Sequence, residues 1–386
     1  MVAAPTRSSC VTNLVWWLLA TAEAAALIAV APRLWRAARG AQRLVAGGDD
    51  DAVVISVVIP ARDEAARLAE CLSPLRDAPG VLEVIVVDDE STDATAAIAE
   101  QHGALVVRGA ALPPGWVGKA WALQQGLAAA RGDVVVTLDA DARPTAQLPN
   151  AIRRALMQSG AHFATVAPRF RCRSHLGRWL HAAMLTSLVY RHGAGARVAR
   201  RDAVANGQCM VFRRIDALRD EWFTAVRSST IEDVALVRWL VSSGKRVEMF
   251  DGRDLLVVEM FESFSDTWRG WGRSLALNSV ESPRRQLSGL ATSALTLVMP
   301  LWLAMVALVI RPEATAPSSI TPSVAVLSVV ALMLVALRIG TLVGTRRAYE
   351  AGGLGYWLSP FADLLAWVVV ARGTFAPSRQ WRGRTY

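Results

Sequence analysis

Four short apolar runs, rich in β-branched residues and interleaved with helical stretches, constrain this chain more than any other feature. They are VVISVVIP (53–60), VLEVIVVDDESTDAT (81–95, a strand that runs into acid and then a helix), ALVVRG (104–109) and DVVVTLDAD (133–141). Unbroken apolar runs of this length suit strands of a parallel sheet that is covered on both faces. EAARLAECLSPL (64–75) and KAWALQQGLAAARG (119–132) between them read as helices. The alternation predicts an α/β sheet with helical layers. Its polar clusters fall at the carboxyl ends of strands, where such sheets bind ligands.

The chain is 53% hydrophobic with a mean hydropathy of +0.30, and the excess collects at its two ends. Residues 12–31 carry one acid, Glu23, and are long enough for one membrane span. Residues 1–11 are then an N-terminal tail. Arg33, Arg36, Arg39 and Arg43 follow the span, whereas only Arg7 precedes it. The positive-inside rule therefore predicts a cytoplasmic domain after a linker at 32–52. A cleaved signal peptide fits less well, because the charge lies on the wrong flank and no clear cleavage site follows. Past Pro283, residues 287–310 and 323–344 read as two more spans, the second interrupted by Arg338. The stretch 355–373 is shorter and holds Pro360 and Asp363, and a full crossing there would put the basic tail 374–386 outside. It is expected to be interfacial or re-entrant, with a fourth span as the alternative.

The formal charge of +9 rests on forty arginines and only two lysines, Lys119 and Lys245. No RNP motif, zinc-finger spacing or long basic helix accompanies it, which argues against nucleic acid as a partner and for a bilayer surface. Four scattered cysteines form no CxxC and five histidines no HExxH, so neither a disulfide scaffold nor a zinc site is expected.

The chemistry is concentrated in acids. Asp139 and Asp141 sit one residue apart at the end of an apolar strand, where both can approach one ligand. Hard ions such as Mg²⁺ and Mn²⁺ are held by few carboxylates and bridged by phosphate oxygens; the plain alternative is a helix cap with a surface neighbour. Asp88 and Asp89 end a second strand, and two acidic strand ends on one sheet imply a shared crevice. Of Ser91, Thr92 and Asp93, at least one is expected to do no more than start the next helix. Glu232 and Asp233 open a strong helical pattern, where a merely favourable acidic first turn is the alternative to chemistry.

Taken together, VVIPARDEA (57–65), IVVDDESTDAT (85–95), GWVGKAWAL (115–123), LDAD (138–141), NGQCMVFRR (206–214), IEDVALVRWL (231–240) and WRGWGRS (268–274) resemble, in order, the signatures of family 2 glycosyltransferases with the GT-A fold. The resemblance covers about 57–280. It implies a GT-A (nucleotide-diphospho-sugar transferase) domain at 53–282, flanked by N- and C-terminal transmembrane helices. Among membrane-anchored members, PPGWVGKAWAL, the late spans and the terminal WRGRTY look most like hopanoid-associated glycosyltransferases, with carotenoid-type diaponeurosporenoate glycosyltransferases as near relatives.

Carried over by motif, the resemblance gives each residue a role. Pro60, Arg62 and Glu64 border the nucleotide, Asp88 or Asp89 contacts base or ribose, and Lys119 lies near the phosphates. Asp139, beside the donor, and Asp141 hold Mg²⁺ or Mn²⁺ on the diphosphate of a UDP- or GDP-sugar. Asp233 is the general base, with Glu232 second choice, and inversion is implied. Asn206, Gly207, Gln208, Trp268, Arg269, Trp271 and Arg273 fall on the acceptor side; for the Trp-Arg pairs, anchoring to the bilayer is the alternative. WRGWGRS lacks the glutamine of the QxxRW motif of processive synthases, which favours a single transfer to one membrane lipid. Transfer to polyprenyl phosphate and a non-catalytic tethered scaffold are the competing functions.

Overall fold

The computed structural model describes residues 7–47, 53–193, 203–260, 262–275, 277–303, 322–376, 380–381 and 384–385. The first helix, α1 (Arg7–Ala38), leads through a two-residue strand, β1 (Gln42–Arg43), into alternating strands and helices. These are β2 (Ile55–Ala61), α2 (Leu68–Leu72), β3 (Val81–Asp88), α3 (Thr95–Gln101), β4 (Leu105–Arg108), α4 (Gly118–Ala129) and β5 (Val134–Leu138). A short β6 (Ala142–Pro144) precedes α5 (Leu148–Ser159), β7 (Phe163–Ala167), β8 (Arg169–Arg171) and α6 (His175–His192). Then come β9 (Cys209–Arg213), α7 (Arg214–Arg219), α8 (Trp222–Ala225), α9 (Glu232–Ser242), β10 (Val247–Asp251), β11 (Leu256–Glu259), α10 (Phe264–Ser274) and α11 (Pro283–Ser293).

The main sheet has the order β1-β10-β7-β9-β5-β2-β3-β4. All neighbours are parallel except β9, which runs antiparallel to both β5 and β7. Its central strands, β2, β5 and β9, are almost wholly buried, as their unbroken apolar runs require. Gly126 brings α4 onto the sheet: a Cβ there would lie 2.3 Å from Val58 Cγ1. The expected helix at 64–75 begins only at Leu68 and tightens to a 3₁₀ turn at Ser73–Leu75. Its first residues instead join the loop network under β2 and β3.

A second sheet, β6-β11-β8, lies beyond the end of β5. Asp139 and Asp141 thus fall where the chain leaves one sheet for the other, in a turn closed by the Ala142 N–H donating to the Asp139 carbonyl at 3.0 Å. Arg143 staples this turn: it donates to Glu70 (2.7 Å), to Glu259 (3.2 Å) and to the carbonyls of Ala140 and Ala142.

Among the described residues, three helices are long and apolar enough to cross a membrane: Asn13–Ala38, Pro283–Leu303 and Pro322–Ala348. The first packs along the third, and Ser323 donates a hydrogen bond to Asn13. The second carries a π-helical turn at Ala294–Val298, and the end of its expected range, 304–310, lies outside the described residues. So do 1–6, residues 48–52 of the linker and much of the basic tail.

The stretch 355–373 divides into a helical turn at Gly353–Trp357, a 3₁₀ turn at Ser359–Ala362 and a helix at Asp363–Phe375. The longest piece has 13 residues, short of the roughly 20 a crossing helix needs. It packs on α6, α10 and α11; Phe375 at its end and Trp357, Leu358 and Phe361 in the turns before it are exposed. The two polar interruptions noted in the sequence meet here. Arg338 Nε and Nη2 grip Asp363 at 2.8 and 2.9 Å, and both residues are buried. Arg338→Met is expected to cost about 3–5 kcal/mol by leaving Asp363 unpaired. Thermal unfolding in detergent would register this, and the double change Arg338→Met with Asp363→Leu should recover most of it.

Candidate active site

The carboxyl ends of β2, β3 and β5 open into one cavity of about 600 Å³. Its polar limb is bordered by Pro60, Arg62, Glu64, Asp89, Lys119, Asp139 and Asp141. Asn206, Gly207, Gln208, Glu232 and Asp233 line the middle. The far limb is apolar, with Phe170 and Leu188 beside Trp271, Leu275, Thr345 and Ala348. The last two come from the end of the third long apolar helix and the turn behind it.

Asp88 and Asp89 divide their work. Asp89 faces the cavity, and its carbonyl accepts from Arg62 at 2.6 Å. The Asp88 carboxylate accepts the Ser91 N–H at 3.1 Å and is not part of the cavity wall. The rest of DDESTD is local architecture. Asp93 accepts from the N–H groups of Thr95, the first residue of α3, and of Ala65. Ser91 accepts from Asp63, and Asp63 accepts from Thr92.

Lys119, in the first turn of α4, joins the two acidic groups. Its Nζ lies 2.8 Å from Asp139 Oδ1, 3.1 Å from Oδ2 and 3.0 Å from Glu232 Oε1. Burial alone would lower the ammonium pKa, but Asp139, Glu232 and Asp233 hold it well above the usual lysine value.

Glu232 and Asp233 do occupy the first turn of α9, as the plain reading had it, and they also face the cavity. Asp233 Oδ2 accepts the Gly207 N–H at 2.8 Å, and Oδ1 accepts the Val234 N–H at 2.8 Å. Burial first, then the Glu232 charge, push Asp233 up to about 7 against the opposing pull of Lys119 and these two N–H groups. A carboxylate tuned near neutrality suits proton abstraction.

The NGQ turn is the frame of the site. Its Gly207 holds Asp233, and the Gln208 carbonyl accepts the Asp139 N–H at 3.1 Å. Asn206 anchors the turn through Val166 and Thr165. A Cβ on Gly207 would stand 3.0 Å from Asp233 Oδ2. Gly207→Ala is therefore expected to lower kcat about tenfold with little change in donor KM, since a carboxylate displaced by a fraction of an ångström loses its alignment. Steady-state kinetics would check this.

Asp141 is the least comfortable group in the cavity. Its Oδ1 is buried without a hydrogen-bond partner. Burial first, then the charges of Asp139 and Glu64, push it up to about 7. Two crowded carboxylates, one oxygen of which lacks a donor, form an all-oxygen set that fits a hard divalent ion. Among the described residues no group of three His, Cys, Asp or Glu side chains could hold an ion by itself, so its other ligands would come from substrate and water.

The acceptor-side residues of α10 separate. Trp271 lines the apolar limb, its ring centroid 4.6 Å from that of His181. Trp268 packs with Phe264 away from the cavity, and Arg269 is exposed and pairs with Asp266 at 3.3 Å. The Arg273 side chain lies outside the described residues. Sequence reading missed Arg67 and Glu259 on the polar wall, and Phe170 and Thr345 on the apolar one. Of these only Arg67 carried a signal, three residues after Glu64 at the entry to a helix.

Residues 56–222 match the family model of Glycosyl transferase family 2. It is similar to the 4,4'-diaponeurosporenoate glycosyltransferase of Staphylococcus haemolyticus, 26% identical over 233 residues, which cover 58% of this chain and 62% of that protein. A glucosyl-3-phosphoglycerate synthase of Mycolicibacterium paratuberculosis is 48% identical over 93 residues, 22% of this chain and 28% of that one. The chain thus spans under two thirds of the length of either relative. A mannosyltransferase of Pyrobaculum calidifontis, solved with GDP-Man and Mn²⁺, superposes with a TM-score of 0.50 at 21% identity, covering 90% of this chain and 99% of that one. That likeness bears on the fold: an α/β domain of GT-A type with long apolar helices at both ends.

Proposed function

We propose that the protein transfers one sugar from a nucleoside-diphospho-sugar to a hydroxyl of a membrane lipid of isoprenoid type, a hopanoid or a carotenoid-like acceptor, with inversion. The observation that carries this reading is the continuity of one cavity, from Asp139 and Asp141 past Asp233 into the apolar limb bounded by Trp271 and Thr345. A soluble acceptor would have no use for that limb, whereas a lipid brings its own apolar surface. The diaponeurosporenoate relative, by its name, acts on an isoprenoid. The arginines after the first helix favour a cytoplasmic catalytic domain in a multi-pass membrane protein.

In this mechanism Arg62, Glu64 and Asp89 seat the nucleoside, and Lys119 meets the diphosphate. Asp139 and Asp141 would hold Mg²⁺ or Mn²⁺, which supplies charge neutralisation on the leaving diphosphate. Gly207 and Val234 hold Asp233 with its carboxylate toward the cavity, and Asp233 Oδ takes the acceptor hydroxyl proton. The apolar limb keeps water from competing as acceptor. The neutral-range pKa of Asp233 favours a hydroxyl acceptor over a phosphate, which needs no base. The stretch 355–373 lies in the interface, and Trp268 and Arg269 meet headgroups there rather than the sugar.

The test is release of nucleoside diphosphate by detergent-purified protein, over a panel of UDP- and GDP-sugars with a bacterial lipid extract, with Mn²⁺, with Mg²⁺ and with EDTA. Release that requires both metal and lipid, with a glycosylated lipid found by mass spectrometry, is the expected result. Failure of every nucleotide to bind would overturn the enzyme reading and leave a scaffold.

A further inference from the structure

Lys119 faces a conflict that the assigned chemistry does not resolve. Its ammonium contacts both carboxylate oxygens of Asp139, at 2.8 and 3.1 Å. A divalent ion on Asp139 therefore competes with Lys119 for the same two atoms. The other partner of the ammonium, Glu232 at 3.0 Å, immediately precedes Asp233. Lys119 is thus the side chain that links the donor-side acids to the base-side acids. Its position is fixed at the start of α4, whose helix is seated on the sheet through Gly126.

We propose that Lys119 is a positioning residue that sets the order of assembly at this site. It keeps a lone divalent ion off Asp139 and yields that carboxylate only when a nucleoside diphosphate arrives with the ion and offers the ammonium its own oxygens. This rests on the nucleotide-sugar reading of the cavity. The diphosphate adds negative charge that attracts both cations, so the competition ends when it enters. A lone ion is thereby kept out of an incomplete site, and Glu232, 3.0 Å from the ammonium, keeps that ammonium close to Asp233. Removing the ammonium takes the cation that touches Asp139 and Glu232 out of a space that Asp141 and Asp233 also face, which favours a lone ion.

The experiment is titration of the full-length detergent-purified protein with Mn²⁺, with free Mn²⁺ read by electron paramagnetic resonance, first alone and then with saturating UDP or GDP. Lys119→Met should bind Mn²⁺ alone about tenfold more tightly than the native protein, since a unit charge within hydrogen-bond distance has been removed. The enhancement of Mn²⁺ binding by nucleotide should shrink correspondingly, and Lys119→Arg should restore weak binding of the lone ion. Glu232→Gln should act in the opposite direction, weakening Mn²⁺ alone about threefold because the ammonium then rests on Asp139 undivided. In the double variant Lys119→Met with Glu232→Gln that weakening should largely disappear, which a purely general charge effect would not produce. Unchanged or weaker Mn²⁺ binding in Lys119→Met overturns the proposal. Should that variant not fold, an unchanged Mn²⁺ affinity in Glu232→Gln overturns it. Failure of both UDP and GDP to bind would instead sink the nucleotide-sugar reading, and the titrations with Mn²⁺ alone would still decide the competition at Asp139.

Discussion

Asp233→Asn is expected to lower kcat by about 10²- to 10⁴-fold, the usual contribution of a positioned general base, while nucleotide affinity stays within about threefold. Two effects must be separated. The amide offers one oxygen where the carboxylate offered two, so either Gly207 or Val234 loses its acceptor. A lost hydrogen bond of this kind costs about 1–3 kcal/mol of stability, and the thermal midpoint should fall modestly. The loss of the base costs about 3–5 kcal/mol at the transition state, so the kinetic deficit dominates. The pH profile provides a second readout. Only the ionised carboxylate can take a proton, so the native rate should climb as pH rises through about 7 and level off above it. That limb should vanish in the residual activity of the variant. A profile flat from pH 5 to 9 in the native protein would remove Asp233 from the role of base.

Asp141→Asn is expected to have effects of opposite sign on stability and on function. One oxygen of this carboxylate is buried without a hydrogen-bond donor, and the group faces Asp139 and Glu64. An amide removes the charge repulsion and brings a donor of its own, so in EDTA the variant should be more stable by about 1–2 kcal/mol and unfold at a higher temperature. Metal-dependent nucleotide binding should nonetheless fall by about 10²-fold or more, because one of two protein ligands has gone. Stored repulsion relieved at the expense of activity is characteristic of sites built for a ligand. A variant that is destabilised in EDTA would show instead that Asp141 is an ordinary structural acid.

The strands and their order along the chain were legible because buried parallel strands leave uninterrupted apolar runs, and few other structures do. The acids at their ends were legible for the complementary reason: a carboxylate is expensive at such a place unless something uses it. What use each acid has was less visible. Asp88 and Asp89 are adjacent in sequence, yet one ties a turn and the other faces the cavity, a difference set by half a strand pitch. Asp93 carries the same motif and only fastens α3 to the loop after β2. Lys119 stood out by composition, but its contact with Glu232 joins residues 119 and 232 across the sheet, and no local pattern records such a distance. Arg338 and Asp363 looked like separate defects in two apolar segments and are one ion pair. The WRGWGRS motif marks a single α10 helix, and periodicity alone does not tell that Trp271 faces inward and Arg269 outward.

The apolar limb of the cavity has a further consequence for where the working unit ends. Residues 56–222 are the evolutionary module, as the family match has it, but Trp271, Leu275, Thr345 and Ala348 stand well beyond it and close the same space. Phe170 bridges to Tyr349, and Arg171 clasps Glu350 at 2.6 Å, so the second sheet is riveted to the chain that emerges from the last long helix. Excising the membrane segments would not liberate a smaller soluble enzyme; it would unroof the chamber and leave its greasy wall facing water. Catalyst and anchor are in this sense a single thermodynamic object, because residues from both close the same space.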